Sequence, residues 1–148
     1  MSTPWIEIAG RRIGPGHPVY IVAELSANHG QRLEDAVRLI EIAAAAGVDA
    51  VKLQTYTADT ITIDSDAPEF RVPGKPPLGG RKLYDLYQEA YTPWKWQPGL
   101  KEIATGLGLA LFSSPFDFTA VDFLEAMDVP AYKVASFEML DQPLVQRM

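Results

Sequence analysis

The sequence predicts an α/β fold: the N-terminal part of a (βα)8 TIM barrel, about four βα units preceded by a β-hairpin. Three observations predict it. Four strand-like runs recur, VYIVAE (residues 19–24), DAVKLQ (49–54), LALFSS (109–114) and AYKVAS (131–136), each closing on polar residues. Segments of helical period separate them, and such alternation builds a parallel sheet whose site gathers at the strand C-terminal ends. A hairpin pattern, residues 5–8 and 11–13 about Ala9-Gly10, precedes the first run and is expected to cap the N-terminal end of the sheet. The 148 residues read as one partial barrel domain, with the hairpin over about 5–13 and βα units from about residue 19.

The first run is nearly all apolar up to Glu24, as for a strand covered on both faces. In the helix after it, Leu33, Val37, Ile40 and Ala44 make the core-facing stripe, Glu34 and Asp35 sit in the first turn, and Gly47 is the stop. The second run leads into an excursion over residues 55–81. Pro68, Pro73, Pro76, Pro77, Gly74, Gly79 and Gly80 deny it a long regular element, so it reads as a lid or binding loop. A helix over 82–91 presents Leu83, Leu86, Tyr87 and Ala90 on one face. Thr92 is expected to cap the next helix, with Pro93 at its first position and Leu100, Ile103 and Leu107 on its buried stripe. Asp117 caps the helix carrying Val121, Leu124 and Met127, and Asp141 opens another.

Composition narrows the function classes. A net charge of -6 with no basic run argues against nucleic acid. No apolar stretch reaches the roughly 18 residues of a membrane span. The first residues, MSTPWIEIAG, lack the charged and apolar regions of a signal peptide. Absence of cysteine removes disulfides, thiolate nucleophiles and zinc–cysteine sites. A cytoplasmic protein is expected.

Chemistry concentrates at the strand ends. Lys52 and Gln54, two apart on a strand, share one face, and an inward lysine needs either an anionic ligand or a neighbouring carboxylate. Lys133 on the fourth run poses the same question, and a phosphate or carboxylate between the two lysines would answer both. Ser113, Ser114 and Ser136 offer hydroxyl donors or, equally, turn and cap bonds. Glu24 and Glu138 can orient sugar hydroxyls, move a proton or balance the lysines. Asn28 and His29 lie in the first βα loop, where a site contact is reasonable. His17 and His29 lack a nearby third ligand and make poor metal-site evidence.

AELSANH (23–29), VKLQTY (51–56), TPWKW (92–96), FSSPFD (112–117) and YKVASFE (132–138) together resemble the sialic acid synthase family, in order and across essentially the whole chain. LYDLYQEAYTPWKW and FSSPFDFTAVDFL are most similar to the branch of that family that makes pseudaminic acid. The resemblance implies a (βα)8 barrel behind a hairpin, followed by a small antifreeze-like domain. It implies condensation of phosphoenolpyruvate with an open-chain N-acetylated amino sugar to a nonulosonic acid, releasing phosphate by C–O cleavage. Lys52, Lys133, Ser113 and Ser136 would hold the phosphate and carboxylate. Gln54 and Glu24 would face the sugar, with Tyr56 nearby, and Glu138 would sit beside the reacting carbons.

A divalent metal of the manganese or magnesium type would polarise the sugar aldehyde. Its histidine ligands lie in later strands of the family, and an arginine of the C-terminal domain completes the partner subunit's site in a homodimer. This chain supplies none of them, so its expected metal set is none, and alone it is expected to be inactive and to self-associate. Lys95 stands where the family usually has glutamate, which would complete a capping box with Thr92, at an expected cost of about 0.5–1 kcal/mol. Two other readings stand beside this one: a Schiff-base aldolase with Lys52 or Lys133 as nucleophile, and a non-catalytic anion-binding half-barrel.

Overall fold

A computed structural model describes residues 4–148. Strands β1 (Ile6–Ile8) and β2 (Arg11–Ile13) pair antiparallel in the register Ile6↔Ile13, Glu7↔Arg12 and Ile8↔Arg11. Ala9 and Gly10 both take positive φ, at 48° and 80°, the mirror-image turn that matches the twist of a two-residue hairpin. Arg11 reaches from this hairpin to Asp49, which immediately precedes β4 (Ala50–Thr55). Asp49 also accepts the Ile21 N–H at 2.7 Å, so one carboxylate ties the hairpin to the N-terminal end of the sheet.

The sheet itself is parallel, in the order β3 (Val22–Glu24), β4, β5 (Ala110–Pro115). Helices α1 (Leu33–Ala45) and α4 (Gln97–Gly106) cover one face of it. Val51 and Leu53 of β4 and Leu111 of β5 meet Ala36, Ile40 and Ala43 of α1 and Leu100 and Ala104 of α4 there. Each fully buried leucine or isoleucine in this layer contributes about 1.5–3 kcal/mol. Both helices stop at a left-handed glycine, Gly47 at φ 78° and Gly108 at φ 80°, which turns the chain straight into the next strand.

The excursion between β4 and α4 holds only short pieces: α2 (Ala58–Ile61), a 3-10 turn at Pro68–Phe70 and α3 (Leu83–Ala90). Lys82 bridges to Asp64 at 2.6 Å and Arg71 to Asp66 at 3.0 Å, so the excursion is a folded lobe held by charges. Tyr56 roots it, packing edge-on against Tyr87 of α3 and against Phe116. Beyond β5 lie α5 (Phe118–Ala126), a 3-10 turn at Glu138–Leu140 and α6 (Gln142–Arg147). Asp117 and Asp141 cap α5 and α6 as the sequence indicates. No helix of the described residues is long and apolar enough to cross a membrane.

Four expectations are corrected. The first strand is three residues long, and Val19 and Ile21 are 79% and 52% exposed. It pairs with β4 alone among the described residues, so neither its outer edge nor both its faces are covered. The fourth run forms no regular strand: one parallel bridge joins Tyr132 to Ser113, with the Lys133 N–H donating to the Ser113 carbonyl at 3.0 Å. Beyond that bridge the run makes no further ladder pairing among the described residues.

Helix α1 is rotated from the expected stripe. Ala36, Ile40 and Ala43 are its buried residues and Leu33 is exposed, because the alanine edge lets the helix sit close to the sheet and α4. Finally, Thr92 caps no helix. Its side chain is buried and engaged with His29, Trp94–Trp96 forms a 3-10 turn, and α4 begins at Gln97 with Pro98 in its first turn. No capping box is therefore available for Lys95 to spoil.

The Asp117 cap gives a direct test of local energetics. One carboxylate oxygen accepts the backbone N–H groups of Thr119 at 2.7 Å and Ala120 at 3.1 Å. Asp117→Ala is expected to cost about 1 kcal/mol, read as a lowered urea midpoint with an unchanged denaturant slope.

Candidate functional site

Parallel pairing sorts the strand residues onto two faces, because side chains alternate and paired residues point the same way. Glu24 is opposite Lys52, Lys52 is opposite Phe112, and Gln54 is opposite Ser114. These five share the face turned away from α1 and α4. Leu53 is opposite Ser113, so Ser113 belongs to the helix-covered face. Tyr132 bridges to Ser113, and its hydroxyl donates to Glu125 of α5 at 2.6 Å. The next residue, Lys133, therefore alternates back to the face of Lys52.

That face is dominated by its cations. The Lys52 ammonium pairs with the Glu24 carboxylate, with Lys52 14% exposed and Glu24 40%. Burial and then the charge of Lys133 nevertheless hold the Lys52 pKa below its usual value. Lys52 is thus a poorly solvated ammonium with a carboxylate on one side and a second cation near by. An anion between the two lysines would offset their mutual repulsion. Glu24 is itself steadied by the Ser26 N–H at 3.2 Å.

The remaining predicted residues divide. Gln54 is half-buried on the cleft face, level with Ser114 at the strand ends. Tyr56 is buried in the aromatic cluster at the root of the lobe, and burial together with Tyr87 pushes its phenol up to about 12. It is a neutral wall there. Glu138 is partly buried in the turn after the Tyr132 bridge, and its Oε2 has no hydrogen-bond partner. Ser136 and Asn28 are exposed in loops. Ser113 is fully buried, and its hydroxyl meets Thr55 at 2.7 Å instead of the cleft. The serine on the cleft face is Ser114, a hydroxyl the sequence shows but whose orientation only the pairing register decides.

His29 has a structural task. The Gln31 N–H donates to Nδ1 at 3.1 Å, so Nε2 carries the proton and donates to Thr92 Oγ1 at 3.0 Å. Trp96 packs edge-on against the ring. The first βα loop is thereby tied to the segment before α4. No group of three His, Cys, Asp or Glu side chains among the described residues could hold a metal ion. Both His29 nitrogens are engaged, and the unpartnered oxygens of Glu138 and Asp117 belong to no group of three potential ligands, so the described residues do not form a metal site.

Burial lowers the His29 pKa below its ordinary value. The folded state therefore prefers the neutral ring, and the stability this contributes is complete above about pH 6.5 and declines as pH falls below it. His29→Gln removes that titration, so its unfolding midpoint should fall less between pH 7 and pH 5 than that of the parent, measured by urea titration at each pH.

Known proteins resemble this chain along most of its length. The sequence profile described as the NeuB family matches residues 39–148. The chain is 47% identical to the pseudaminic acid synthase of Campylobacter jejuni over 86% of its own length and 37% of that protein's. It is 44% identical to the pseudaminic acid synthase of Helicobacter pylori over 88% of its length and 38% of that protein's. The crystal structure of the N-acetylneuraminic acid (sialic acid) synthetase from Leptospira borgpetersenii, in complex with citrate, superposes with a TM-score of 0.81 at 27% identity, covering 98% of this chain and 46% of that one. The chain thus spans less than half the length of these relatives, and what it resembles is their N-terminal part. With the profile running through most of the sequence and the partial barrel superposing along nearly all of it, the chain belongs to the NeuB family.

Proposed function

We propose that this chain forms the phosphoenolpyruvate side of a sugar-acid synthase. The reaction joins phosphoenolpyruvate to an N-acetylated amino sugar, gives a nonulosonic acid of the pseudaminic type, and releases inorganic phosphate. The observation that carries the reading is Lys52 and Lys133 on one cleft face, close enough for the charge of one to depress the other's pKa. Two neighbouring cations, one on β4 and one beside the end of β5, are suited to a ligand with a dianionic phosphate and a carboxylate. Relatives named pseudaminic acid synthase support the sugar class.

In this reading the lysines hold phosphate and carboxylate, and Ser114 donates from the neighbouring strand. Glu24 fixes the direction of the Lys52 ammonium, and the Gln54 amide faces the sugar. The methylene carbon of phosphoenolpyruvate attacks the sugar aldehyde carbon, whose oxygen takes a proton from solvent. Water adds to the electron-poor carbon that bears the phosphate, and the tetrahedral adduct becomes the keto group as its C–O bond to phosphate breaks and its hydroxyl proton leaves with the phosphate. The proton lost by that water goes to Glu138, whose Oε2 is without a partner. Tyr56, neutral across the working pH range, backs the cleft. A divalent cation and a second subunit belong to the proposal for the whole protein.

The lowered pKa of Lys52 also favours a second reading, an amine nucleophile forming a Schiff base with a keto acid. Borohydride trapping with pyruvate separates the two: an adduct on Lys52 supports the aldolase, and its absence supports the synthase.

Calorimetric titration with phosphoenolpyruvate is expected to give saturable one-site binding. Lys52→Ala and Lys133→Ala should each weaken it by roughly tenfold or more, the loss of one charge-assisted contact. Equal affinity in parent and both variants would overturn the assignment of the anion site. Release of phosphate from phosphoenolpyruvate and an N-acetylated amino sugar, by the polypeptide as its organism produces it, tests the reaction itself.

A further inference from the structure

Directly behind the cleft residues lies a chain of three buried polar side chains. Thr55, Ser113 and Gln97 are all fully buried on the helix-covered face. The Thr55 hydroxyl donates to Gln97 Oε1 at 2.9 Å, and its oxygen lies 2.7 Å from Ser113 Oγ. Since the single Thr55 hydrogen goes to Gln97, Ser113 is the donor in the second bond. The chain thus joins β4, β5 and the first residue of α4. Thr55 directly follows Gln54 and Ser113 directly precedes Ser114, the pair that faces the cleft in register.

Gln97 Nε2 is buried with no hydrogen-bond partner. Either orientation of the amide leaves one of its polar atoms unpartnered, and an unsatisfied buried polar group costs stability that an apolar side chain of similar size would not. Packing alone therefore gives no reason for glutamine here. We infer that Gln97, with Thr55 and Ser113, is a positioning device: it fixes the rung of β4 and β5 that presents Gln54 and Ser114 to the cleft, at a cost in stability. A hydrogen-bonded chain is directional where leucine packing is not, and a slip of one residue in this sheet would exchange the cleft face for the helix face. The functional half of this inference rests on the phosphoenolpyruvate reading, whereas the geometric half does not.

A packing residue and a positioning residue predict opposite patterns in Gln97→Leu. The positioning role predicts a melting temperature equal to or above that of the parent. It also predicts phosphoenolpyruvate affinity lower by roughly tenfold, the scale of a small misplacement of binding groups, and shifted or broadened NMR signals of the Gln54 side-chain amide. Thr55→Val, which removes the hydroxyl without changing shape, should reproduce the loss of affinity and the Gln54 change, and Thr55→Ser should restore both.

Unaltered affinity and Gln54 signals in both Gln97→Leu and Thr55→Val would overturn the inference, as would a fall in melting temperature that accounts for the lost affinity. Should Gln97→Leu fail to fold, Thr55→Val against Thr55→Ser decides alone. If the parent chain binds no phosphoenolpyruvate, the functional reading fails by itself, and the Gln54 amide signals still decide the positioning role.

Discussion

Everything else in this molecule depends on the parallel pairing of β4 between β3 and β5. β4 makes a ladder on both sides, and its alternation divides two chemistries across one sheet. Val51, Leu53 and Thr55 are turned to the helices, while Lys52 and Gln54 are turned to the cleft. The apolar half supplies the stability that allows the other half to keep a poorly solvated ammonium beside a second cation. Shifting this strand by one residue would bury Lys52 among leucines, a cost far above any single packing term. Hydrophobic burial thus selects which face of β4 meets the helices, and the Thr55–Ser113–Gln97 chain pins the rung at its C-terminal end.

The elements around β4 each remove one freedom from that site. The Arg11–Asp49 pair locks the hairpin and the strand entry at the N-terminal end. At the other end, His29 ties the first βα loop to the segment before α4, and Trp94 donates its Nε1–H to the Tyr56 carbonyl at 3.1 Å. The cleft residues themselves make few bonds to one another, Lys52 with Glu24 excepted. Rigidity is therefore provided from behind and beside the cleft, where Lys52 and Gln54 stay half-buried, Lys133 is exposed and Ser114 is nearly enclosed at 2% exposure.

Much of this was legible in the sequence. The hairpin, the two central strands, the glycine stops and the caps at Asp117 and Asp141 follow from local rules, since turn chemistry and burial on both faces leave little choice. The edge strands were not legible, because an apolar run shows the propensity to pair but not whether a neighbour is present. The same limit explains Thr92: its cap-like sequence is local, whereas its actual partner His29 lies 63 residues away. Ser113 and Ser114 differ by one position, and only the register Gln54↔Ser114 decides which hydroxyl faces the lysines. Gln97 gave no sequence pattern, being a polar residue at a helix start where exposure is the common outcome.

The central claim is that one face of a parallel sheet presents Lys52, Gln54, Ser114 and Lys133 as a single anion-binding surface. A crystal structure with phosphoenolpyruvate bound tests it most directly. The account predicts phosphate and carboxylate oxygens within hydrogen-bond reach of both lysine ammonium groups and of the Ser114 hydroxyl, with Ser113 still bonded to Thr55. Phosphoenolpyruvate found at the N-terminal end of the sheet beside Arg11, or contacting Ser113 in place of Ser114, would contradict it.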